Sequence, residues 1–563
     1  WGIAPSDVTV SGGTVSGGGN TATLGELAEA AGAQPVPAEV TLKTPDQWVL
    51  IGKDTPRVEL PLKARGSVGM FGIDYQPDGG LVAMMARPPQ FGAAVVSVDD
   101  TAAKSMPGVI AVLPLPMGVA VVAENTWSAM QGRDALEIEW DIGTAETRSS
   151  DTLEAEYRAL LDRDGIAAPS RGDTATKLAS AEKTITADYY FPFLNHAQLE
   201  PLNITVFYDG TKAELTFGSQ IQTLDHGAAA QVLGLEFPQI TIRTTWAGGS
   251  FGRRATFDAH LTVEGCLVAK SFLDTTGEAR PIKLVFTRED DMKAGYYRPV
   301  HMHRVEAGVD AEGKVSGWRH RIVGQSLFKG TPFEDFVIND GVDGTMVEGT
   351  VDTAYDLPDY ALDVHHPDVG VPVLWWRSVG HTHTAYVMET MIDELAEAAG
   401  ADPVAFRMGL LGNASREAGV LKLAAEKAGW DQPAPEGIFR GVAVHKSFDS
   451  YVAEVAEVSM RDDGTVKVER VVCAVDCGIA INPDNVRAQM EGGIGYGLSA
   501  LLREEITMTD GEVDQWNYPD YLALRNSDMP KVEVHILASA EAPTGVGEPG
   551  LPPVGPAVAN AVY

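Results

Sequence analysis

Three cysteines in 563 residues are too few for a disulfide framework, and neither C-x-x-C nor C-x-x-C-H occurs. No iron–sulfur cluster or c-type haem is therefore expected in this chain. Cys473 and Cys477 fall in one alternating segment, Val471-Val-Cys-Ala-Val-Asp-Cys477, where strand spacing puts them on one face about 13 Å apart, too far to bridge. Basic side chains are also scarce: 43 Lys and Arg stand against 78 Asp and Glu, for a net charge of -35. That balance excludes a nucleic-acid-binding face. No run of about 18 apolar residues appears, so no membrane-spanning helix is expected. The pairs His301/His303 and His381/His383 could each share a strand face at i and i+2. With no acid or cysteine at metal spacing beside them, zinc is not expected. The sequence opens at Trp1 and stops at Tyr563 inside what reads as a helix beginning near Pro553, and is read as a fragment of a longer polypeptide.

What is present is ordinary globular composition, 44% apolar and 21% charged, enough for several cores. Residues 1–60 are rich in Gly, Thr and Pro and read as the tail of a preceding region and a linker. Residues 61–142 alternate short strands and helices and are expected to form a small α+β domain, and 143–182 a polar connector with one amphipathic helix. Beyond that a strand, an acidic glycine turn and a second strand recur three times: Ile204–Tyr208 with Ala213–Phe217, Val305–Val309 with Lys314–Val323, and Val452–Met460 with Thr465–Asp476. Helical sequence follows each hairpin. The expected fold is multidomain α+β, with two related hairpin-and-helix halves over 183–412 and 413–563, rather than a parallel doubly wound sheet.

Several stretches break local rules. Gly248-Gly-Ser-Phe-Gly-Arg-Arg254 follows a strand and precedes a helix, and such a turn either receives an anion on its backbone amides or is simply tight. Its letters also match G-x-S-x-G, which makes Ser250 a candidate hydrolase nucleophile. The helix beginning at Pro483 carries Gly492, Gly493, Gly495 and Gly497, each costing about 1 kcal/mol against alanine in a helix, so another helix or a ligand must approach its backbone, with Gln489 as a polar handle. In Trp375-Trp376-Arg377-Ser378-Val379-Gly380 a guanidinium fork stands beside aromatics, a good anion or ring contact. Glu200, before a proline, either positions substrate or caps a sheet edge. Last comes Gly545-Val-Gly-Glu548-Pro-Gly-Leu-Pro552, where Gly547 allows close backbone approach and Pro549 holds Glu548 extended.

In this order, His196-Ala-Gln-Leu-Glu200-Pro, Gly248-Gly-Ser-Phe-Gly252-Arg-Arg, Trp375-Trp-Arg-Ser-Val-Gly-His381, Asp476-Cys-Gly478, Gln489-Met-Glu-Gly and Gly547-Glu548-Pro-Gly-Leu-Pro resemble the molybdopterin-binding large subunit of the molybdenum hydroxylases, the xanthine dehydrogenase and aldehyde oxidase family. The likeness is greatest to the branch with the isoquinoline 1-oxidoreductase beta subunit and the membrane-associated aldehyde dehydrogenases, and residues 61–142 resemble the family's α/β hammerhead domain. The resemblance implies molybdenum held by a pterin dithiolene, in the cytosine dinucleotide form, rather than by side chains. It places Glu548 as the general base that deprotonates the water-derived nucleophile. Gln220, Gly249, Ser250, Phe251, Gly252, Arg253, Arg377, Gln489 and Gly547 are placed at the cofactor, and Glu200, Trp375, Trp376 and Val379 at the substrate pocket. It further implies a small [2Fe-2S] subunit as electron acceptor, in some members a cytochrome c anchoring the complex at the membrane, and a periplasmic location.

The sequence departs from the family in two places. No Gly-Gln-Gly motif occurs, and where purine oxidisers carry a substrate-binding glutamate and a stacking phenylalanine this chain has Ala255 and Val379. Xanthine is therefore not the expected substrate; an aldehyde or an N-heteroaromatic ring is. The competing readings are a serine hydrolase built on Ser250 and a non-catalytic assembly subunit.

Overall fold

The computed structural model describes residues 1–67, 69–412 and 415–563, so the expected boundary residue Asn413 lies outside the described residues. Two units separate by their internal contacts, Trp1–Ile51 and Gly52–Tyr563. In the first, strands Thr9–Ser11, Thr14–Gly17 and Asn20–Thr23 form an antiparallel meander that runs into helix Leu24–Gly32. A capping box makes the junction. The Thr23 hydroxyl accepts from the Glu26 N–H, and the Glu26 carboxylate accepts the Thr23 N–H at 2.7 Å, which satisfies amides that helix geometry leaves orphaned.

The second unit holds three large sheets. One has seven strands, in the order Ile240–Thr244, Ala213–Phe217, Asn203–Tyr208, Ile282–Val285, Leu81–Ala86, Gly118–Ala123 and Val109–Leu115. The segment 61–142, expected as a small α+β domain, supplies three of these strands. Leu81–Ala83 pair in parallel with Ile282–Leu284, and Leu81, Ala83 and Met85 share one core with Ile204, Val206 and Leu284. An apolar strand such as Leu81–Ala86, whose first five residues are buried, cannot remain an edge without exposing its amides.

A five-stranded sheet runs Lys183–Phe191, His301–Val309, Val315–Gly324, Tyr360–His365, Ile166–Ala167, and a four-stranded one Phe439–Ser447, Ser450–Met460, Val466–Asp476, Lys531–Ile536. The three expected hairpins are all present, in registers that include Thr205↔Thr216, Val305↔His320 and Val455↔Val472. Ile166–Ala167, expected in a connector, is an edge strand of the five-stranded sheet.

Between the last two sheets lies helix His381–Ala398. Val387, Met388, Met391, Ile392 and Leu395 pack in one core with Val305, Trp318 and Leu362 of one sheet and Val442, Val455 and Val472 of the other. Full burial of each such side chain contributes roughly 1.5–3 kcal/mol, which fixes the helix and the loop that feeds it. The helix starts at His381, where the sequence reading placed strand or loop. Its two histidines are therefore not a same-face pair: i and i+2 on a helix point about 200° apart. His381 turns to His445 (2.9 Å) and His383 to His303 (2.9 Å). No group of three or more His, Cys, Asp or Glu side chains able to hold a metal ion occurs among the described residues, and Cys266, Cys473 and Cys477 are free and buried.

Candidate active site

Five loops and helix faces converge on a cavity of about 730 Å³ lined by Gln220, Ile221, Phe251, Gly252, Ala255, Trp375, Trp376, Arg377, Val379, Ala488, Gln489, Gly492, Gly547 and Glu548. The loops leave the ends of strands Ala213–Phe217 and Ile240–Thr244, precede helices His381–Ala398 and Val554–Val562, and meet the Pro483–Leu502 helix.

Among the described residues, Glu548 is the only acid lining this cavity. Its Oε1 accepts the Ser378 N–H at 2.9 Å, and its main-chain oxygen accepts the Ser378 hydroxyl at 2.9 Å. Burial pushes its carboxyl above the usual range, while the Ser378 amide and the Arg377 charge pull it back. A carboxylate so placed is a stronger base than one in water. The turn that grips it is strained: Ser378 has φ 78° and Val379 φ 48°, left-handed values that cost a β-branched residue most.

Arg377 ties the cavity's walls together. Its Nε donates to the Gly547 carbonyl at 2.8 Å, and its Nη2 reaches the main-chain and side-chain oxygens of Gln489 at 3.3 Å. On the same helix the glycines divide by task. A Cβ on Gly493 would meet Gly550 at 3.0 Å, one on Gly495 the Met529 sulfur at 3.1 Å, and one on Gly497 Val554 at 2.7 Å, whereas Gly492 faces the cavity with only Arg377 nearby, at 3.8 Å. Three of them admit close packing and one leaves room for a ligand.

On the opposite wall Phe251, at φ 56°, stacks on Tyr496 with ring centroids 4.2 Å apart, and Tyr496 stacks on Trp376 at 4.5 Å. The Tyr496 hydroxyl donates to the His196 carbonyl at 2.7 Å. Gly252 has φ 117°, and a Cβ there would press on the Trp375 carbonyl. Sequence reasoning missed Tyr496 and Ser378; the only signal for Tyr496 was an aromatic among helix glycines.

The structure brings Gln220, Phe251, Gly252, Arg377, Gln489, Gly547, Glu548, Trp375, Trp376 and Val379 into one cavity and leaves out Glu200, Gly249, Ser250 and Arg253. Glu200 is buried and saturated. It accepts from Ile73 N–H (3.0 Å), Asn203 Nδ2 (3.0 Å), Gly248 N–H (2.6 Å) and Arg254 Nη2 (3.1 Å), and so braces the glycine turn from behind. Arg253 is 1% exposed, packs over the Tyr296 ring at 4.7 Å and donates Nη2 to His260 at 3.0 Å. Gly249 abuts Gln198.

Ser250 bonds through its hydroxyl to Gln220 Oε1 and accepts the Arg254 N–H at 3.1 Å. No histidine is among its partners, and the next helix begins ten residues on, at His260, so this turn is no nucleophile elbow. A larger cavity of about 870 Å³ lies beyond Phe257, whose ring meets Trp375 edge-on at 4.5 Å. Its lining includes neither Glu548 nor Arg377, so the chemistry belongs to the smaller one.

The donor set fits a pterin-held metal. The cavity offers an amide (Gln220), a guanidinium (Arg377), a second amide (Gln489) and backbone bared at Gly252, Gly492 and Gly547, where a Cβ on Gly547 would meet nothing within 4 Å. None of its lining side chains is a metal-ligating His or Cys. Such a surface holds a polar, anionic heterocycle and leaves the metal's ligands to it.

Models of molybdopterin cofactor-binding domains match residues 161–409 and 390–530. The chain is 32% identical over 552 residues to isoquinoline 1-oxidoreductase subunit beta of Brevundimonas diminuta, covering 95% of this chain and 69% of that protein. It belongs to the molybdopterin-binding large subunits of the molybdenum hydroxylases. A second relative, the membrane-bound aldehyde dehydrogenase [pyrroloquinoline-quinone] of Gluconacetobacter polyoxogenes, is 28% identical over all of this chain and 77% of its own length. Among solved structures, quinoline 2-oxidoreductase from Pseudomonas putida 86 superposes with a TM-score of 0.76 at 15% identity, over 91% of this chain and 95% of that one. The molybdenum hydroxylase is thus an oxidoreductase, and the hydrolase reading is overturned by both the family and the geometry of Ser250.

Proposed function

We propose that this large subunit hydroxylates a flat, uncharged N-heteroaromatic ring with oxygen derived from water, Glu548 acting as the base. The observation that carries it is the single carboxylate, with its raised basicity, in a cavity walled by Phe251, Trp375 and Val379 and lacking any second acid. When bound, the molybdenum cofactor supplies the two-electron acceptor and activates water as the nucleophile. Gln220, Arg377, Gln489 and the amides around Gly252 and Gly547 would hold it. Glu548 removes one proton from the nucleophile, and the Ser378 N–H keeps its carboxylate aimed. Ala255 and Val379 leave space where a charged or stacking side chain would select a purine. In balance, a ring C–H and water become C–OH, two electrons and two protons.

The aldehyde reading stands second, supported by the name of the Gluconacetobacter relative. Electrons would leave through a small [2Fe-2S] subunit, since the three cysteines are buried singly, and a cytochrome c would follow in a periplasmic complex. The cofactor is proposed in its cytosine dinucleotide form, tested by identifying the nucleotide released on acid hydrolysis.

The test of function is the purified complex, assayed for molybdenum and for turnover of isoquinoline, quinoline and a series of aldehydes. Glu548→Gln should retain its molybdenum and lose about 10²–10⁴-fold in kcat, the range of general-base contributions. A molybdenum-free active complex, or an active Glu548→Gln enzyme, would overturn it.

A further inference from the structure

The turn that aims Glu548 is itself held from behind. The Val379 N–H donates to the Trp376 carbonyl at 2.7 Å, closing a four-residue turn in which Ser378, at φ 78°, takes the third place, where a type II turn needs a positive φ. The peptide that leads into it, Trp375–Trp376, therefore sets its orientation. Two neighbouring residues clamp that peptide. His196 Nε2 lies 2.8 Å from the Trp375 carbonyl, and the Trp376 indole N–H donates to the Asn195 carbonyl at 3.3 Å. A carbonyl oxygen only accepts, so His196 carries its proton on Nε2.

The clamp is rigid. The Tyr521 hydroxyl exchanges hydrogen bonds with the Asn195 main chain at 3.1 and 3.0 Å, and the Asn195 side chain donates to the Asp291 carbonyl at 3.2 Å and accepts the Ala197 N–H at 2.7 Å. Ala197 has φ 50°, a strained value that persists where the surroundings over-determine it; the Tyr518 hydroxyl holds its carbonyl at 3.0 Å. Tyr496 ties in the glycine helix, through its hydroxyl to the His196 carbonyl at 2.7 Å and its ring on Trp376. A Cβ on Gly252 would meet the Trp375 carbonyl at 2.5 Å and His196 Nε2 at 3.1 Å, so the imidazole bond is packed against the back of the glycine turn. His196 thus touches three segments that wall the cavity, yet it is buried and does not line the cavity itself.

We propose that His196 is a positioning residue for Glu548: its Nε2–H fixes the Trp375 carbonyl, and through it the turn whose Ser378 N–H aims the base. The proposal rests on Glu548 being that base. Burial, aided by the Arg253 charge, holds the imidazole down to about 3 against the pull of the Trp375 carbonyl. His196 is therefore neutral over the working range and contributes a hydrogen bond, not a charge or a proton. The charged groups facing Glu548 are Arg377 and Glu348, and the one facing His196 is Arg253. Burial raises the Glu548 carboxyl and the Ser378 amide pulls it back. A turn that swings loses that amide, so the base is misaimed and its carboxyl moves further up.

His196→Leu fills similar space but cannot donate. In the intact complex it should keep its molybdenum, lose about 10²-fold in kcat, the usual result of displacing a reacting group by about 1 Å, and show the acidic limb of kcat/KM at higher pH than the parent. His196→Gln, whose amide N–H can reach the same carbonyl, should restore part of kcat and bring the limb back. Independently of turnover, infrared titration should find one carboxyl, identified by its loss in Glu548→Gln, that ionises at higher pH in His196→Leu than in the parent. A merely structural histidine would move neither readout. Val420→Ala, which opens a cavity under the Arg416–Ala428 helix, should lower the melting temperature and leave the limb and the carboxyl where they are. A folded His196→Leu with parental limb and infrared titration, beside an inactive Glu548→Gln, would overturn the positioning role alone. An active Glu548→Gln would overturn the base instead. Should His196→Leu fold poorly, Tyr496→Phe keeps the ring stack and deletes only the bond to the His196 carbonyl; its limb should shift the same way by less, and a parental limb there would overturn the proposal.

Discussion

Ser378 holds Oε1 of Glu548 at 2.9 Å through a backbone N–H that points the right way only because Ser378 and Val379 adopt φ 78° and φ 48°. Strain of this kind costs about 1–3 kcal/mol per residue, and it sits where the base must be aimed. Val379→Gly should remove most of that cost against an entropic penalty of about 0.5–1 kcal/mol. The expected variant is as stable as the parent or more so by denaturant titration, yet slower in kcat because the grip on Glu548 loosens. A loss of more than about 2 kcal/mol in stability would contradict stored strain.

The pH dependence of the base follows from its burial. Glu548 must be ionised to accept a proton, and burial raises its carboxyl above the ordinary carboxylate value. The rate therefore falls as pH drops through that raised value, and the acidic limb of kcat/KM should lie above pH 4.5 rather than at it. A limb at or below the ordinary carboxylate range would show that another group is being titrated.

Ser250 distinguishes the surviving chemistry from the discarded one. Its hydroxyl joins Gln220 to the Arg254 amide, so Ser250→Ala removes hydrogen bonds worth about 0.5–1.5 kcal/mol each and frees the Gln220 side chain. Turnover should remain within about tenfold of the parent. A collapse of several orders of magnitude would return Ser250 to the reaction centre.

Glu548 and Gln489 stood out in the sequence because glycine or proline near them marks backbone that must approach something, and Arg377 because its guanidinium fork stands beside two tryptophans. Glu200 did not. The four donors that saturate it come from Ile73, Asn203, Gly248 and Arg254, and no local pattern says that residues so far apart in the chain meet behind the glycine turn. Arg253 misled for the same reason: beside Gly252 it reads as a cavity residue, but its side chain turns under the turn to Tyr296 and His260. The hairpins were readable from alternation and glycine turns. The parallel pairing of Leu81–Ala83 with Ile282–Leu284 joins segments some 200 residues apart and carries no local signature. The start of the helix at His381 gave no local signal, because Gly380 at its N-cap makes no side-chain cap.

The ion pair behind the glycine turn gives a stability prediction. Side chains of Arg254 and Glu200 are 1% and 6% exposed, so removing one partner leaves the other charge buried. Glu200→Ala should cost about 3–5 kcal/mol, seen as a fall in denaturation midpoint. Glu200→Gln, which keeps the shape and an acceptor for the Gly248 N–H, should cost less. Equal effects of the two would mean that packing, rather than charge, is what Glu200 contributes.

Acid sensitivity follows from the buried histidines. His303 bonds His320 at 2.7 Å and His383 at 2.9 Å, and the His301 ring stacks on His383 at 3.8 Å. Burial holds His301 and His320 down to about 3, and pushes His303 and His383 well below the ordinary 6.5. Their depressed values make the contribution to stability full above pH 6.5 and progressively lost below it, as the unfolded chain takes up protons the folded one refuses. Each histidine adds a slope of at most about 1.4 kcal/mol per pH unit, so the four together reach about 5 kcal/mol per unit well below pH 6.5, a large part of a typical folding free energy. Glu348 and Glu504, raised to about 8 and about 7, run the other way and lose stability as pH rises from 4.5 towards those values. The melting temperature should thus fall steeply from pH 7 to pH 5, and His320→Asn should flatten the slope by about one proton. A melting temperature constant across that interval would show that these imidazoles are already protonated in the folded protein.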